Sequence, residues 1–293
     1  MLAQVLLTPA ESKKLIAKAI AGMDEVKKAV SGGLIVLHPS SSNYFVVEEI
    51  LGFKPPTEAW VCGVASPRGM CFEVGVFLAS QKFAGAVTSD PGTFPHSWVI
   101  REGKFSAGEA LSALLEQMGP GDFYIKGVNA VDPQGNVGVL VGNLVEGGTI
   151  GRVMSAQRKN SFQIIWPVGM EKLIPVSIQQ AVQAVKKSSI DYSMGVAAGL
   201  FPCTGGKKID EMEAINILSG AEAIPISAGG LGGAEGAITL MIKGEESSVK
   251  KAIGYVEQSK GAVSPQVRLS NCGQCIANGI TCKSMDKKPW VVF

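Results

Sequence analysis

The feature that most limits what this chain can fold into is the alternation of short apolar runs with amphipathic stretches. Residues 34–37, 59–64, 86–88, 98–100, 123–125, 137–141 and 162–168 are such runs, most of them bounded by glycine, proline or small polar residues. Their length and lack of polar interruptions suit strands buried on both faces. Between several of them lie segments with helical spacing, at 44–51, 106–118, 150–158 and 177–187. Near the start, Thr8-Pro-Ala-Glu11 has the form of a capping box with proline at the first helical position. Leu15, Ile16, Ala19, Ile20 and Met23 follow on one helical face. Strands separated by helices argue for an α/β chain with a Rossmann-like, mainly parallel sheet covered on both faces.

After Cys203-Thr-Gly-Gly206 the texture changes. A helix at 210–218, capped by Asp210, precedes strands at 223–227 and 237–242 about a glycine-rich connection. A helix at 247–258 and a strand at 266–269 follow. With a strand near 194–200 the order is β-α-β-β-α-β, a ferredoxin-like α+β arrangement. The expected organisation is therefore a Rossmann-like domain over 1–203, a ferredoxin-like domain over 204–270, and a cysteine-bearing tail over 271–293.

Of the 293 residues, 46% are apolar and 18% charged, which suits a globular chain with a sizeable core. The net charge of +2 gives no bulk pull towards nucleic acid or an anionic membrane, and the basic residues are scattered. No apolar run reaches membrane-spanning length. Residues 1–7 are too short, and lack the charged lead, for a secretory signal, so the cytoplasm is the default location.

Two polar turns are candidate sites. At 127–143, Asn129, Asp132 and Asn136 are presented on a tight loop between apolar runs. In the loop 39–43, Ser40, Ser41, Ser42 and Asn43 stand between a strand and a helix, where they are either simple helix caps or the rim of an anion site. A third stretch, Gly147-Gly148-Thr149-Ile-Gly151-Arg152, lets backbone approach a ligand and offers a cation, or is a plain turn before a helix. His38 and His96 have no Ser-His or Cys-His motif around them, so structural roles suit them better. Glu235, in the glycine-rich segment 229–236, belongs to a hairpin turn or to a ligand-covering loop, with the hairpin favoured.

In combination these pieces resemble the lactate-utilisation (LUD) family. The resemblance rests on Gly127, Asn129, Ala130, Gly135, Gly142, Asn143, Val168, Gly169 and Lys172, and on the spacing Cys272-x2-Cys275-x6-Cys282 with Cys203 upstream. It implies organic-acid metabolism. A more distant likeness is to ribose-5-phosphate isomerase and the CoA-transferase-like superfamily, whose second motif keeps Asp132-Pro133 here. The Glu-Lys pair of that isomerase's third motif is replaced by Val153 and Met154. Valine cannot move a proton between carbons, so the likeness implies the fold and pocket position without the isomerase chemistry.

Six cysteines are present. Cys272 and Cys275 lie on one turn, Cys282 can fold back on them, and Cys203 stands just before the ferredoxin-like segment, whose ends return to neighbouring positions. Four thiolates suit zinc or an iron–sulfur cluster; free buried cysteines, or a redox disulfide, are the alternatives. Cys62 and Cys71 sit among apolar neighbours and read as inert. Three functions follow as expectations. The first is a small anionic metabolite, held by Ser41, Ser42, Asn43, Asn129, Asp132, Gly148, Thr149 and Arg152. The second is a metal-bearing accessory protein using Cys203, Cys272, Cys275 and Cys282, and the third a sensor that binds without turnover. Enzymatic activity and a homo-oligomeric state are both left open.

Overall fold

A computed structural model describes residues 1–55, 63–66, 69–72, 97–142, 145–186 and 190–266. In chain order the first elements are β1 (Leu2–Leu7), α1 (Pro9–Gly22), α2 (Asp24–Gly32), β2 (Leu34–Leu37) and α3 (Ser41–Leu51). Next come β3 (Gly63–Ser66), β4 (Gly69–Phe72), β5 (Trp98–Arg101), β6 (Lys104–Ala107), α4 (Leu111–Gln117) and β7 (Phe123–Ile125). Then β8 (Ala130–Val131), β9 (Val137–Val141), α5 (Gly148–Asn160), β10 (Gln163–Pro167), a 3-10 turn (Met170–Lys172) and α6 (Ile178–Lys186). The last are β11 (Gly199–Cys203), β12 (Lys207–Ile209), α7 (Glu211–Ser219), β13 (Glu222–Ala228), β14 (Ile238–Lys243) and α8 (Glu246–Ser259).

The architecture is mixed α/β. A six-stranded sheet has the order β12-β10-β7-β2-β5-β6. Its first four strands are parallel, and β5 and β6 close one edge antiparallel. Alternation along each strand divides the apolar residues between two faces. Ile35, Leu37, Trp98, Ile100, Phe123, Ile125, Ile165 and Ile209 pack with α1, α3 and α7. Leu34, Val36, Val99, Tyr124, Ile164 and Trp166 pack with α4, α5 and the β8–β9 hairpin. Burial on both faces is why these strands read as unbroken apolar runs.

The sequence expectation fails in instructive places. The segment expected as helix from 106 opens instead with β6, because Glu102 and Gly103 both take positive φ (50° and 70°) and turn β5 back on itself. Helix α4 begins only at Leu111. The strand expected at 194–200 falls later, as β11 over 199–203, and it pairs with β9, not with the C-terminal strands. Its expected place is taken by β1, which lies antiparallel to β14 in a sheet ordered β1-β14-β13. One hydrophobic cluster then draws residues from both sides of the boundary expected near 204, among them Leu15, Phe123, Ile215, Leu240 and Val249. Residues 59–62 of the run 59–64, the run 86–88, and residues 267–269 of the strand expected at 266–269 lie outside the described residues. So do Cys62, His96, Asn143, Cys272, Cys275 and Cys282.

The capping box is present as expected: Thr8 N–H donates to Glu11 Oε2 at 2.9 Å, and Glu11 N–H to Thr8 Oγ1 at 3.5 Å. Glu11 also accepts from Lys260 Nζ at 2.6 Å and from Gly261 N–H at 3.0 Å, which fastens the end of α8 to the start of α1. The segment 229–236 is the loop of the β13–β14 hairpin. No helix among the described residues is long and apolar enough to cross a membrane.

Candidate functional site

All four parallel strands end at one edge of the sheet. The chain leaves β2 for α3, which packs on one face, and leaves β7 for β8, β9 and α5, which pack on the other. Neighbouring parallel strands whose connections diverge open a crevice between them, the usual ligand position in open α/β sheets.

Serines and an asparagine line this β2/β7 crevice. Ser40 caps α3, its Oγ accepting from Asn43 N–H at 3.2 Å. The Asn43 amide nitrogen donates to the carbonyls of His38 and Ile125, both at 2.7 Å, and so ties the ends of β2 and β7 together. Asn43 is 0% exposed, and its Oδ1 has no hydrogen-bond partner among the described residues. Across the crevice lies Gly127, where an added Cβ would stand 3.2 Å from Ser40 Oγ and 3.4 Å from Ser42 Oγ. Any side chain there would press on both hydroxyls, so this close approach suits glycine. Ser42 is buried, and Ser41 is half-buried in the first turn of α3.

The remaining expected ligands belong to other elements. Asp132 is 2% exposed and fully engaged in its own hairpin. Its Oδ1 accepts from Gln134 N–H (3.0 Å), Asn136 N–H (2.8 Å) and Asn136 Nδ2 (3.2 Å). Its Oδ2 accepts from Asn136 Nδ2 (2.9 Å) and from Ile178 N–H at the start of α6 (3.0 Å). Burial pushes the Asp132 carboxyl up, but these bonds outweigh it and hold the group below the usual carboxylate range. Asp132, expected as a ligand group, ties its hairpin to the start of α6. Asn129 is exposed, and its Oδ1 accepts from Leu140 N–H at 3.0 Å. Gly148, Thr149 and Arg152 form the first turn and a half of α5, with Gly148 at φ 54° after the Gly147 cap at φ 72°. Gly147 must be glycine for packing as well, since a Cβ there would strike the Phe201 ring at 2.4 Å.

On the opposite face of β7, Cys203 is 7% exposed, and burial pushes its thiol up to about 12 against the favourable charge of Lys126. Tyr124 is also wholly buried, and its hydroxyl has no hydrogen-bond partner among the described residues. Burial first, then Cys203, raises its pKa. No cluster of three or more His, Cys, Asp or Glu residues that could hold a metal occurs among the described residues.

Sequence reasoning missed a further group, where β10 and β12 end. Glu211, the first residue of α7, is 1% exposed, and both its oxygens accept from Met170 N–H at 3.1 Å. Burial lifts its carboxyl to about 7, against hydrogen bonds from Ser12 and Met170. Glu171 lies against Gly169, where a Cβ would meet its Oε2 at 1.9 Å, and Lys13 Nζ approaches its Oε1 at 3.5 Å. Lys172 is half-buried beside them, and loss of hydration pulls its ammonium down to about 8 against the attraction of Glu171 and Glu211. Gly236, at the foot of the β13–β14 loop, covers Glu171. The one sequence signal was Lys172, which ends the Val-Gly-x-x-Lys pattern; Glu211 was hidden behind its neighbour Asp210, a helix cap. Opposed shifts of an acid and an amine at one strand edge are a marker of acid–base chemistry.

Comparison with protein-family models gives no match to the chain, and comparison with curated proteins gives none either.

Proposed function

We propose that this protein binds a small anionic metabolite at the β2/β7 crevice and acts in organic-acid metabolism, as the resemblance to the LUD family implies. The observation that carries the reading is a buried, unpartnered acceptor, Asn43 Oδ1, at the start of α3, where Gly127 at the end of β7 packs closely against Ser40 and Ser42. The first N–H groups of a helix have no acceptor of their own and favour an anion. Asn43 Oδ1 accepts a hydroxyl or amide proton of the same ligand. A hydroxy acid or a sugar phosphate carries both features. Gly148, Thr149 and Arg152 at the start of α5 contact the ligand's other end in this reading, and Asn129 lies on its approach. The finer fold description goes with it: the six-stranded sheet is Rossmann-like, and β1, β13 and β14 with α7 and α8 form a ferredoxin-like unit.

Thermal-shift measurements with hydroxy acids, sugar phosphates and CoA esters test this, because a ligand bound by the native state alone raises the melting temperature. Gly127→Ala puts a methyl group into the crevice. It is expected to weaken binding at least tenfold while costing only about 1 kcal/mol of stability. A shift of equal size in the variant would place the ligand elsewhere.

A second reading keeps Cys203 as one ligand of a zinc or iron–sulfur centre with Cys272, Cys275 and Cys282. The cysteine spacing supports it; burial outweighs the Lys126 charge and pushes the Cys203 thiol up to about 12, so a metal would have to displace its proton. Metal analysis and visible absorbance of freshly purified protein test it; a loss of bound metal in Cys203→Ser is the expected result.

A further inference from the structure

The sheet ordered β1-β14-β13 has one covered face and one exposed face. Val5, Leu7, Ala223, Leu240 and Ile242 point to the side where α1, α7 and α8 pack. Strand alternation sends the residues between them to the other side. There the register sets Gln4, Met241 and Ile224 side by side in a middle row. Leu2 stands beside Lys243 and Glu222 at one end, and Leu6 beside Thr239 at the other. Leu2 is 63% exposed, Leu6 41% and Ile224 40%, and Ile226, where the register of β13 shifts, is 53% exposed. These are large apolar side chains gathered on one small sheet, and a contiguous patch of that kind marks an interaction surface.

A sheet can recruit a partner by an edge or by a face, and here both edges are blunted. On β13, Pro225 has no N–H to offer, and the irregularity between Pro225 and Ser227 breaks the run of backbone groups. On β1, the Leu6 carbonyl already accepts from Lys260 Nζ at 3.1 Å. The face has no comparable guard. Its charged residues, Lys243 and Glu222, pair with each other at 3.2 Å at one end, and the middle row is uncharged.

We propose that this face is an interface between two copies of the chain, stacked sheet on sheet about a two-fold axis. A two-fold interface uses the same patch twice, so the patch must suit itself. This one does. Apolar side chains meet apolar side chains, as in the core of a β-sandwich. Each Lys243 brings its own Glu222, so no net charge on one face repels the other. At these exposures the face presents roughly 700 Å² of accessible surface, close to the ~800 Å² that each partner buries in an interface of standard size. A nucleic acid or an acidic protein would need unpaired cations on the face, and among the described residues Lys243 is its only cation and is paired.

Sedimentation equilibrium of the full chain across the micromolar range tests this, with any tag placed at the C-terminus so that β1 keeps its own start. The wild type is expected to reach twice the mass of the chain. Leu6→Lys on β1 and Ile224→Lys on β13 each put an unpaired charge between the stacked faces. Both positions are exposed in the single chain, so each variant is expected to keep the wild-type circular dichroism and to raise the dimer dissociation constant by about a hundredfold or more. Glu257→Lys, at an exposed position of α8, changes charge away from the face and is expected to leave the dimer intact. A monomer throughout the range would overturn the proposal. So would a dimer that either face variant leaves intact: disruption by Ile224→Lys alone would place the partner at the β13 edge, and disruption by neither would place it elsewhere. Neither result touches the crevice reading, which Gly127→Ala tests by itself.

Discussion

Asp132 and Tyr124 illustrate how a polar side chain is used or stranded by its surroundings. Asp132 spends both oxygens on backbone and amide donors from its hairpin and from α6. Removing a buried group that satisfies several donors leaves each of them unpaired. Asp132→Ala is therefore expected to destabilise the protein by about 3 kcal/mol in urea unfolding. A change within 0.5 kcal/mol would mean the hairpin does not depend on it. Tyr124 has the opposite balance, because its buried hydroxyl has no partner among the described residues. Tyr124→Phe removes an unmet polar group and keeps the ring, so a gain of about 1 kcal/mol is expected in the same assay. A loss of stability would reveal a partner for the hydroxyl.

At the scale of elements, local chemistry decided what was legible. The capping box at Thr8 and Glu11, and the starts of α3 and α7, follow from side chains within three residues of the helix end. The runs that became β2 and β7 were readable because burial on both faces leaves no polar interruption, and β10 because only its first residue, Gln163, is exposed. Strand β1 was not, since Leu2, Gln4 and Leu6 are exposed and its pairing partner lies at the other end of the chain. The crevice was legible as serines before a helix. The Glu171–Lys172–Glu211 cluster was not, because only the parallel pairing of β10 with β12 brings residues 171 and 211 together. Glu11 tests one such long-range link, since it joins the start of α1 to Lys260 and Gly261. Burial raises its pKa, but those hydrogen bonds and that of Thr8 outweigh burial and leave it lowered. Its stabilising effect is complete above the unfolded-state value of 4.5 and fades as pH falls through the lower folded-state value. Glu11→Ala is expected to cost about 2 kcal/mol at pH 7 and clearly less at pH 3, by urea unfolding at both pH values.

Across the whole molecule, one core unites the six-stranded sheet with the β1-β14-β13 sheet, so a change in either is expected to move a single unfolding transition. Glu211 sits inside that core contact, between α1 and α7, and gives it a pH dependence. Its folded-state pKa of about 7 lies above its ordinary value of 4.5. The folded protein holds this proton more tightly, so the contribution is fully present below about pH 4.5 and is lost as pH rises through 7. The loss amounts to about 3 kcal/mol. Glu211→Gln removes it, and the variant is expected to gain on the wild type steadily from pH 4.5 to 7.5 in denaturant titrations. Parallel stability curves for the two proteins would contradict the assignment.

Asn43, Glu171 and Glu211 all lie beyond the carboxyl ends of the parallel strands, and the β2/β7 crevice is the part of that edge on which the metabolite reading stands. Calorimetric titration of wild type and Gly127→Ala with the hydroxy acid or sugar phosphate that most raises the melting temperature is the most direct test. Saturable one-to-one binding to the wild type, weakened tenfold or more by the added methyl group, is the predicted result. Binding of equal strength to both proteins, or no binding by any acid in the panel, would contradict it.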